Sequence, residues 1–510
     1  MIRQRLVLFL LLLATVASAQ ETAPVSVGER QLFLDDQGIA KIDGLQRTLH
    51  QPEKRGAVIK PDQPWETTLQ TRSSPVWDEQ AKQYKLWLIT STPAPGVAGT
   101  TYAESVDGVK WTKPILRQWK YQDSLENNFV AVEPDSAWPA NAILNIVYDP
   151  DDVDPQRRFK GFLGAIGRQP IVSPDGIHWK KLDVPVLPSS DESNLSYDRQ
   201  SRTFIATLKT GGPFGRSHGI WTSKDFNTWT NTGVVFSADA EDQTLGRRNI
   251  EQCFADSARR HPEYNIPDTY NVDVYNLGLF RYEGLYLAMP AMFHRTGQVS
   301  KDWDGFDKME LSAAILGEVR KYGDWTGFHH AQLACSRDLH SWTRLGNRQP
   351  FLDLSPLAGG AYDTQVIMPP SNAVVHGDEL WFYYTGIKGY AYVSSGKPET
   401  SGGAICLAVL RRDGFVSLDA GETPGTITSK PFKWSGSKLM ANVETRDRGE
   451  LRAEVLDTAG EVIATSQPLK GNHPRGEFRW SQALPKSLHG RQVSLRFTLR
   501  EASFYAWWAE

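Results

Sequence analysis

Short runs of alternating apolar and polar residues recur along most of the chain, bounded by glycine, proline, asparagine and aspartate, a pattern that predicts strands and tight turns. The strands come as hairpins. Five pairs stand out: 74–77 with 85–89, 143–148 with 159–163, 195–197 with 203–208, 275–280 with 285–289, and 366–375 with 380–384. No convincing long amphipathic helix separates them, and the largest interruption is an insertion from about His294 to Trp325. From about Leu418 the alternation becomes plainer, as in 451–456 and 493–499, with a turn at 457–460 between strands of a different kind.

A turn of the form Ser-x-Asp-x-x-x-Trp repeats through the first four fifths of the chain. It occurs as Ser105, Asp107 and Trp111, as Ser173, Asp175 and Trp179, as Ser223, Asp225 and Trp229, and as Ser336, Asp338 and Trp342. The aspartates stand 68, 50 and 113 residues apart, and the last gap is about double the others, as if one unit lacked the motif. Arg412-Asp413-Gly414 is a degenerate version after the fifth hairpin. Serine and aspartate in such turns accept hydrogen bonds from backbone N–H groups two or three residues on, while the tryptophan covers the edge of the unit. Five units of four short strands predict an all-β protein: a five-bladed β-propeller over 61–415, an N-terminal arm over 20–60 before it, and a small C-terminal β-sandwich over 416–510. In a propeller the innermost strand of every blade runs along a central channel, so residues at the five strand entries converge on one mouth.

Residues 1–19 read as an export signal, with Arg3 and Arg5 ahead of an apolar run over 6–14 and a small-residue cleavage site at Ala17-Ser18-Ala19. A secreted or periplasmic location is expected. No later stretch reaches the ~20 apolar residues of a membrane-spanning helix, so membrane insertion is not expected. The 510 residues carry a net charge of −3, and without a basic excess nucleic acid is not an expected partner. Cys253, Cys335 and Cys406 are too few for a disulfide-built fold and are expected to be buried small residues. The 17 Trp, 17 Tyr and 21 Phe suit half-buried strands and also suit stacking on sugar rings.

The repeated turn, the five units and the trailing sandwich resemble the five-bladed propeller glycosidases, a group that includes invertases and inulinases as well as arabinanases and xylosidases. The sandwich favours the invertase side. Gln31-Leu-Phe-Leu-Asp-Asp36, Pro64-Trp-Glu66, Phe280-Arg-Tyr-Glu-Gly-Leu-Tyr286 and Leu410-Arg-Arg-Asp-Gly-Phe-Val-Ser-Leu-Asp-Ala-Gly421 are similar to exported bacterial proteins with invertase-like N-terminal domains, from about residue 28 onward. The resemblance implies a glycoside hydrolase with a base or nucleophile in blade one, a modulating aspartate in blade two and an acid glutamate in blade three. The family's Asn-Asp-Pro at blade one and Arg-Asp-Pro at blade two are not found here.

Hydrolysis of a glycosidic bond generally needs two carboxyl groups facing each other across it, one protonated and one ionised. The strand entries hold Glu66, then Asn127 and Asn128, then Asp191 and Glu192, then Asp273, and finally Asp363. Asp273 and Asp363 are the leading catalytic candidates, each beside an apolar strand and directed to the channel. Glu66 lies next to Trp65, an aromatic wall that suits a carboxyl to the acid role. His294, at the start of the insertion, is a further acid candidate; some propeller glycosidases acting on anhydro-galactose sugars use a histidine in that way. Trp65, Asn128, Glu192, Arg295 and Trp325 are candidate substrate contacts, and Trp303, Phe306, Tyr322 and Trp325 of the insertion are placed to wall off a pocket that admits a chain end. His329 and His330 read as strand-edge surface, pointing to opposite faces. The acids of 149–155 read as a hairpin tip capped by Arg157 and Arg158, since the glycine and terminal glutamate of an EF-hand are missing. Neither a metal nor a cofactor is expected, and the expected partner is carbohydrate. Two functions compete: an exo-acting glycoside hydrolase, and a non-catalytic carbohydrate-binding propeller that keeps the shell without the acid pair. A sialidase would need a sixth blade.

Overall fold

The repeated hairpins become groups of mostly antiparallel strands in the computed structural model, which describes residues 25–93, 98–133, 142–394, 397 and 402–510. The export signal expected at 1–19 lies outside those residues. Nearly all regular structure is β, with two α-helices among the described residues. Contacts divide the chain into two units: one holds Leu32–Asp35 and Arg47–Leu418, the other Asp36–Gln46, Asp419–Glu510 and the segment before Leu32. The stretch read as a single N-terminal arm is therefore shared between the two.

In the larger unit the first sheet has a broken inner strand, Thr68–Gln70 and Val76–Asp78, both halves paired with Gln83–Ser91, which in turn pairs with Ala98–Ser105. The second runs Ile143–Tyr148, Phe159–Leu163, Ile166–Ser173, Trp179–Lys181. The third runs Ser193–Asp198, Thr203–Gly212, Gly215–Ser223, Thr230–Phe236. The fourth pairs Asn271–Tyr282 with Leu285–Val299, which then pairs with Asp324–Ala331 and Ala334–Ser336. The fifth group, joined to the fourth in one ten-stranded sheet by a parallel bridge between His329 and Val366, orders Val366–Met368, Glu379–Ile387 and Gly403–Arg411, and takes its last strand, Glu53–Ile59, from the start of the unit.

Hydrogen bonds join each strand group to the next and the last to the first. Ser73 accepts from the Ile146 N–H, Asn145 donates to the Ser193 carbonyl, and Asn194 donates to Asn276. Gln365 donates to the Gly327 carbonyl, and the Thr71 N–H donates to the Thr385 hydroxyl. Between neighbouring groups the inward apolar residues interdigitate: Trp87, Ile146, Phe159 and Trp179 between the first and second, Phe162, Leu195, Phe204 and Phe226 between the second and third, Leu69, Leu86, Tyr383 and Ile405 between the fifth and first. Each fully buried apolar side chain there contributes about 1.5–3 kcal/mol.

The repeated turns are structural. In all four the aspartate accepts two backbone N–H bonds, from Val109 and Lys110, Ile177 and His178, Asn227 and Thr228, and His340 and Ser341. The residue after the aspartate has a positive φ. It is Gly108 (74°) and Gly176 (82°) in the first two, where a Cβ would strike Tyr383 and Trp87, but Phe226 and Leu339 (both 64°) in the others, where the side chain fills the space itself. Trp111 and Trp179 donate to the carbonyls of Gly108 and Gly176. Trp179 is buried, whereas Trp111, Trp229 and Trp342 are half-buried.

Three expectations need correction. A 16-residue helix, α1 (Ala240–Ala255), stands between the third and fourth sheets, opened by a capping box of Asp239 and Asp242. Only Asp242, Gly246, Ile250 and Cys253 of it are buried, so its apolar stripe is too thin to read. The strand before the insertion continues to Val299, so His294 lies inside a strand, and the insertion itself holds α2 (Ala313–Tyr322). The acids of 149–155 are neutralised chiefly by Lys160, 1% exposed, which reaches Asp149 at 2.9 Å and Asp152 at 2.7 Å; Arg157 lies 3.6 Å from Asp152, and Arg158 bonds the Pro174 carbonyl instead. The three cysteines are free and buried, as expected.

In the smaller unit two 18-residue strands, Leu439–Leu456 and Gln492–Ala509, pair along most of their length, with a bulge between Thr445 and Glu450. Alternate residues Leu451, Ala453 and Val455 face Leu495, Phe497 and Leu499 in its core, the period-two pattern seen in the sequence.

Candidate active site

Polar residues gather where the inner strands depart from regular pairing. The first inner strand breaks between Gln70 and Val76, and Arg72 turns out of that gap. The fourth carries a bulge between Val274 and Asn276, which resets the alternation so that Asp273, Tyr275 and Asn276 are all polar positions on one side of the break or the other. Arg72 forms a fork on Glu192, Nε to Oε2 at 2.5 Å and Nη2 to Oε1 at 2.6 Å, and Asn276 adds a third donor at 2.8 Å. Arg72 and Glu192 are each 5% exposed. Burial alone would raise the Glu192 pKa, but the charge and hydrogen bonds of Arg72 outweigh it and hold the carboxyl below its ordinary value.

Asp273 has the opposite balance. Its carboxylate receives Arg216 Nε at 2.9 and 3.1 Å, yet burial dominates and raises its pKa. The side chain reaches this place because Val272 and Val274 turn to the opposite, buried face of the strand. Gly215, with φ of 117°, passes so close that a Cβ would sit 3.0 Å from Asp273 Oδ2, and Arg216 follows directly. Asp273, Arg216, Arg295, Gln298 and Trp325 line a cleft of about 540 Å³ with the glycine-rich turn 210–215. Arg295 bonds neutral partners, the Thr269 carbonyl at 3.2 Å and Gln298 Oε1 at 2.7 Å. The guanidinium of Arg216 covers the rings of Tyr275 (4.8 Å) and Phe293 (4.5 Å), and the Lys209 ammonium, paired with Asp191, lies 4.4 Å from the Tyr275 centroid.

Strand alternation sorts the histidines. Phe293 and His329 face Tyr275 and Tyr390, whereas His294 and His330 face α1 and each other, their rings 4.5 Å apart. His294 stacks on Phe328, its Nδ1 meets the Met292 carbonyl and its Nε2 meets Asn249. It is buried, and burial lowers its pKa well below the ordinary value; paired with Val272 while Asp273 pairs with Phe293, it sits on the far side of the sheet from Asp273. His329 and His330 are buried rather than on the surface, and both ring nitrogens of His329 lack a hydrogen-bond partner.

Three of the expected residues, Asp273, Arg295 and Trp325, thus share one cleft, and Glu192 is tied to the same strand through Asn276. The others are elsewhere. Glu66 accepts Lys113 at 2.6 Å and the N–H groups of Asp62 and Gln63, so the loop's own donors, rather than the Trp65 ring, set its surroundings. Trp65 donates to Asn128 at 3.0 Å and Asn128 donates to the Tyr102 carbonyl, which uses both ends of that buried amide. Asp363 accepts Lys54 at 2.7 Å and the Tyr384 hydroxyl at 2.8 Å. None of these lines the cleft with Asp273. Arg72, Lys209, Arg216 and Tyr275 were not singled out from the sequence, and His329 was read there as strand-edge surface. The one local signal was Gly211-Gly212-Pro213-Phe214-Gly215, which marks a close backbone approach just before Arg216.

No family model matches the chain. Over 160 residues, 30% of this chain, it is 26% identical to a 1,2-β-oligomannan phosphorylase of Thermoanaerobacter sp. (strain X514), and the match spans 52% of that protein, about half its length. The chain resembles glycosidases in structure. Similar solved structures include a glycoside hydrolase (TM-score 0.43, 13% identity, 71% of this chain and 92% of that one) and a glycoside hydrolase family 43 arabinoxylan arabinofuranohydrolase from Bacillus subtilis (0.36, 11%, 89% and 99%). A fructofuranosidase from Schwanniomyces occidentalis is similar at a TM-score of 0.38, with 9% identity over 88% of this chain and 96% of that one. At such scores the likeness assigns no role to any residue.

Proposed function

We propose that this chain is an exported enzyme that cleaves a glycosidic bond at the end of an oligosaccharide or polysaccharide, with Asp273 as the proton donor. In this reading the five linked strand groups are the blades of a propeller, the smaller unit is a C-terminal sandwich, and the cleft at Asp273 is the mouth. The observation that carries it is the state of Asp273: a carboxyl 5% exposed, pushed up by burial, held by Arg216 on the wall of a cleft that also presents an aromatic ring, Trp325. A carboxyl whose pKa burial raises is suited to give a proton to a leaving-group oxygen. Glu192, held ionised, plays a different part and fixes Arg72 beside the mouth.

The nature of the attacking group divides two versions of this reading. Hydrolysis asks for a second carboxylate across the bond. Asp273 is the carboxyl among the residues lining the cleft, and Arg216 and Arg295 accompany it there. That composition favours an oxyanion, such as inorganic phosphate, as the attacking group, and the sequence relative carries the name of a phosphorylase. The test is product analysis on β-1,2-mannan, arabinan, xylan and fructan oligomers with and without inorganic phosphate. A sugar 1-phosphate that forms only with phosphate identifies phosphorolysis, and a free sugar in its absence identifies hydrolysis. Glycan binding without either product would establish the binding-module reading instead.

A further inference from the structure

The insertion after Val299 does more than border the cleft. Trp303, Phe306 and Val319 pack with Tyr264, Val299 and Val393 into a small core of their own, against which Tyr392 lies partly buried. Trp325 lies in the cleft with Asp273. Tyr392 stands edge-on to it at 6.0 Å, and Tyr322, the last residue of α2, lies 6.5 Å from Tyr392 and nearly parallel to it, at 19°. Tyr322 is 53% exposed, so its ring gains little from packing where it is.

These rings are held in place. Asp324, 1% exposed, uses both carboxylate oxygens: Oδ1 accepts the N–H groups of Trp325 (3.0 Å) and Tyr392 (3.1 Å), and Oδ2 accepts the Val393 N–H (3.2 Å) and the Tyr264 hydroxyl (3.2 Å). One buried carboxylate therefore locks the loop that carries Tyr392 to the strand that carries Trp325. Gly323, with φ of 74°, ends α2 against the Val299 carbonyl, where a Cβ would come within 2.6 Å, and so fixes the exit from Tyr322. Exposed aromatic surface continuous with a cleft is a docking place for a ligand. The apolar C–H faces of sugar rings stack on such surfaces.

We propose that Trp325, Tyr392 and Tyr322 form a track leading outward from the cleft, along which a neutral linear oligosaccharide lies with its end at Asp273. This rests on the reading of the cleft as a glycan-cleaving site, and it adds that the substrate is a chain of several sugars whose distal units are held by stacking. Asp324 is the positioning residue for the track.

The experiment measures kcat/KM for wild type, Tyr322→Ala, Tyr392→Ala, Tyr322→Phe and Asp324→Asn on chains of two to six units of whichever of the β-1,2-mannan, arabinan, xylan or fructan series is cleaved. Stacking is expected to be worth about 3- to 10-fold per ring. Wild-type efficiency should rise with chain length, through KM more than kcat. Both alanine variants should lose that rise while matching wild type on the dimer, Tyr322→Phe should keep it, and Asp324→Asn should flatten it. Equal losses at every length, or none, overturn the track. If wild type cleaves none of the chains, with phosphate or without, the enzymatic reading fails separately. The same variants are then compared by calorimetric affinity for the hexamers, and affinities unchanged by Tyr322→Ala and Tyr392→Ala overturn the track as well.

Discussion

Replacing Arg72 by methionine tests how the mouth is held together, because it leaves Glu192 buried without its cation. Wild-type Glu192 receives two bonds from Arg72 and one from Asn276, and neither member of the pair has water to fall back on. Breaking a buried pair by removing one partner costs about 3–5 kcal/mol. The pH dependence has a definite sign. In wild type the folded pKa of Glu192 is depressed, so its contribution is present above the unfolded carboxylate value of roughly 4.3 and is lost as pH falls through the folded value. In Arg72→Met only burial remains as the main influence, the folded pKa rises above the unfolded one, and the penalty should shrink as pH falls and Glu192 takes up a proton. Urea unfolding of both proteins at pH 7 and pH 5 measures this: the gap between them should be about 3–5 kcal/mol at pH 7 and smaller at pH 5. Arg72→Met/Glu192→Leu should recover most of the loss. A gap below about 1 kcal/mol at pH 7, or one that widens on acidification, would refute the reasoning.

Other consequences are open to measurement. Trp179→Ala should cost about 3–5 kcal/mol in chemical unfolding, because that ring is 1% exposed between Trp87 and the second sheet, and half-buried Trp342→Ala should cost less; equal losses would count against the packing described. Burial holds His330 down at about 4, below its unfolded value of roughly 6.5, so stability tied to the neutral ring is full above pH 6.5 and is lost as pH falls towards 4, by about 2 kcal/mol at pH 5; the drop between pH 7 and pH 5 should be smaller in His330→Phe. Gly215→Ala places a Cβ beside Asp273 at a φ of 117°, and it should lower turnover far more than it lowers the unfolding midpoint.

The architecture was legible because strand alternation and turn chemistry are local. The hairpins at 143–148 with 159–163, and the Asp turns with their N–H bonds, appear as the pattern requires. α1 was missed because a helix that buries four residues, one of them aspartate, has almost no apolar period. The site was only partly legible. Asp273 was found from its alternation with Val272 and Val274, while Asp363 and Glu66 looked equivalent until their cations, Lys54 and Lys113, came from 309 and 47 residues away. His294 misled because its strand runs on past it to Val299, which turns the ring towards α1. Arg72 and Arg216 owe their places to a strand break and a glycine turn, whose outcome depends on the carboxylates they meet, Glu192 and Asp273, from elsewhere in the chain.

The central claim is that Asp273 donates the proton, and the most direct test is Asp273→Asn on the oligomer that wild type cleaves best. The amide keeps the size and hydrogen bonding of the side chain but has no proton to give. kcat of the folded protein should collapse by at least about 100-fold while substrate affinity stays near wild type, and Asp363→Asn should keep most of the activity that its folded fraction allows. An Asp273→Asn protein with turnover within a few-fold of wild type would contradict the account.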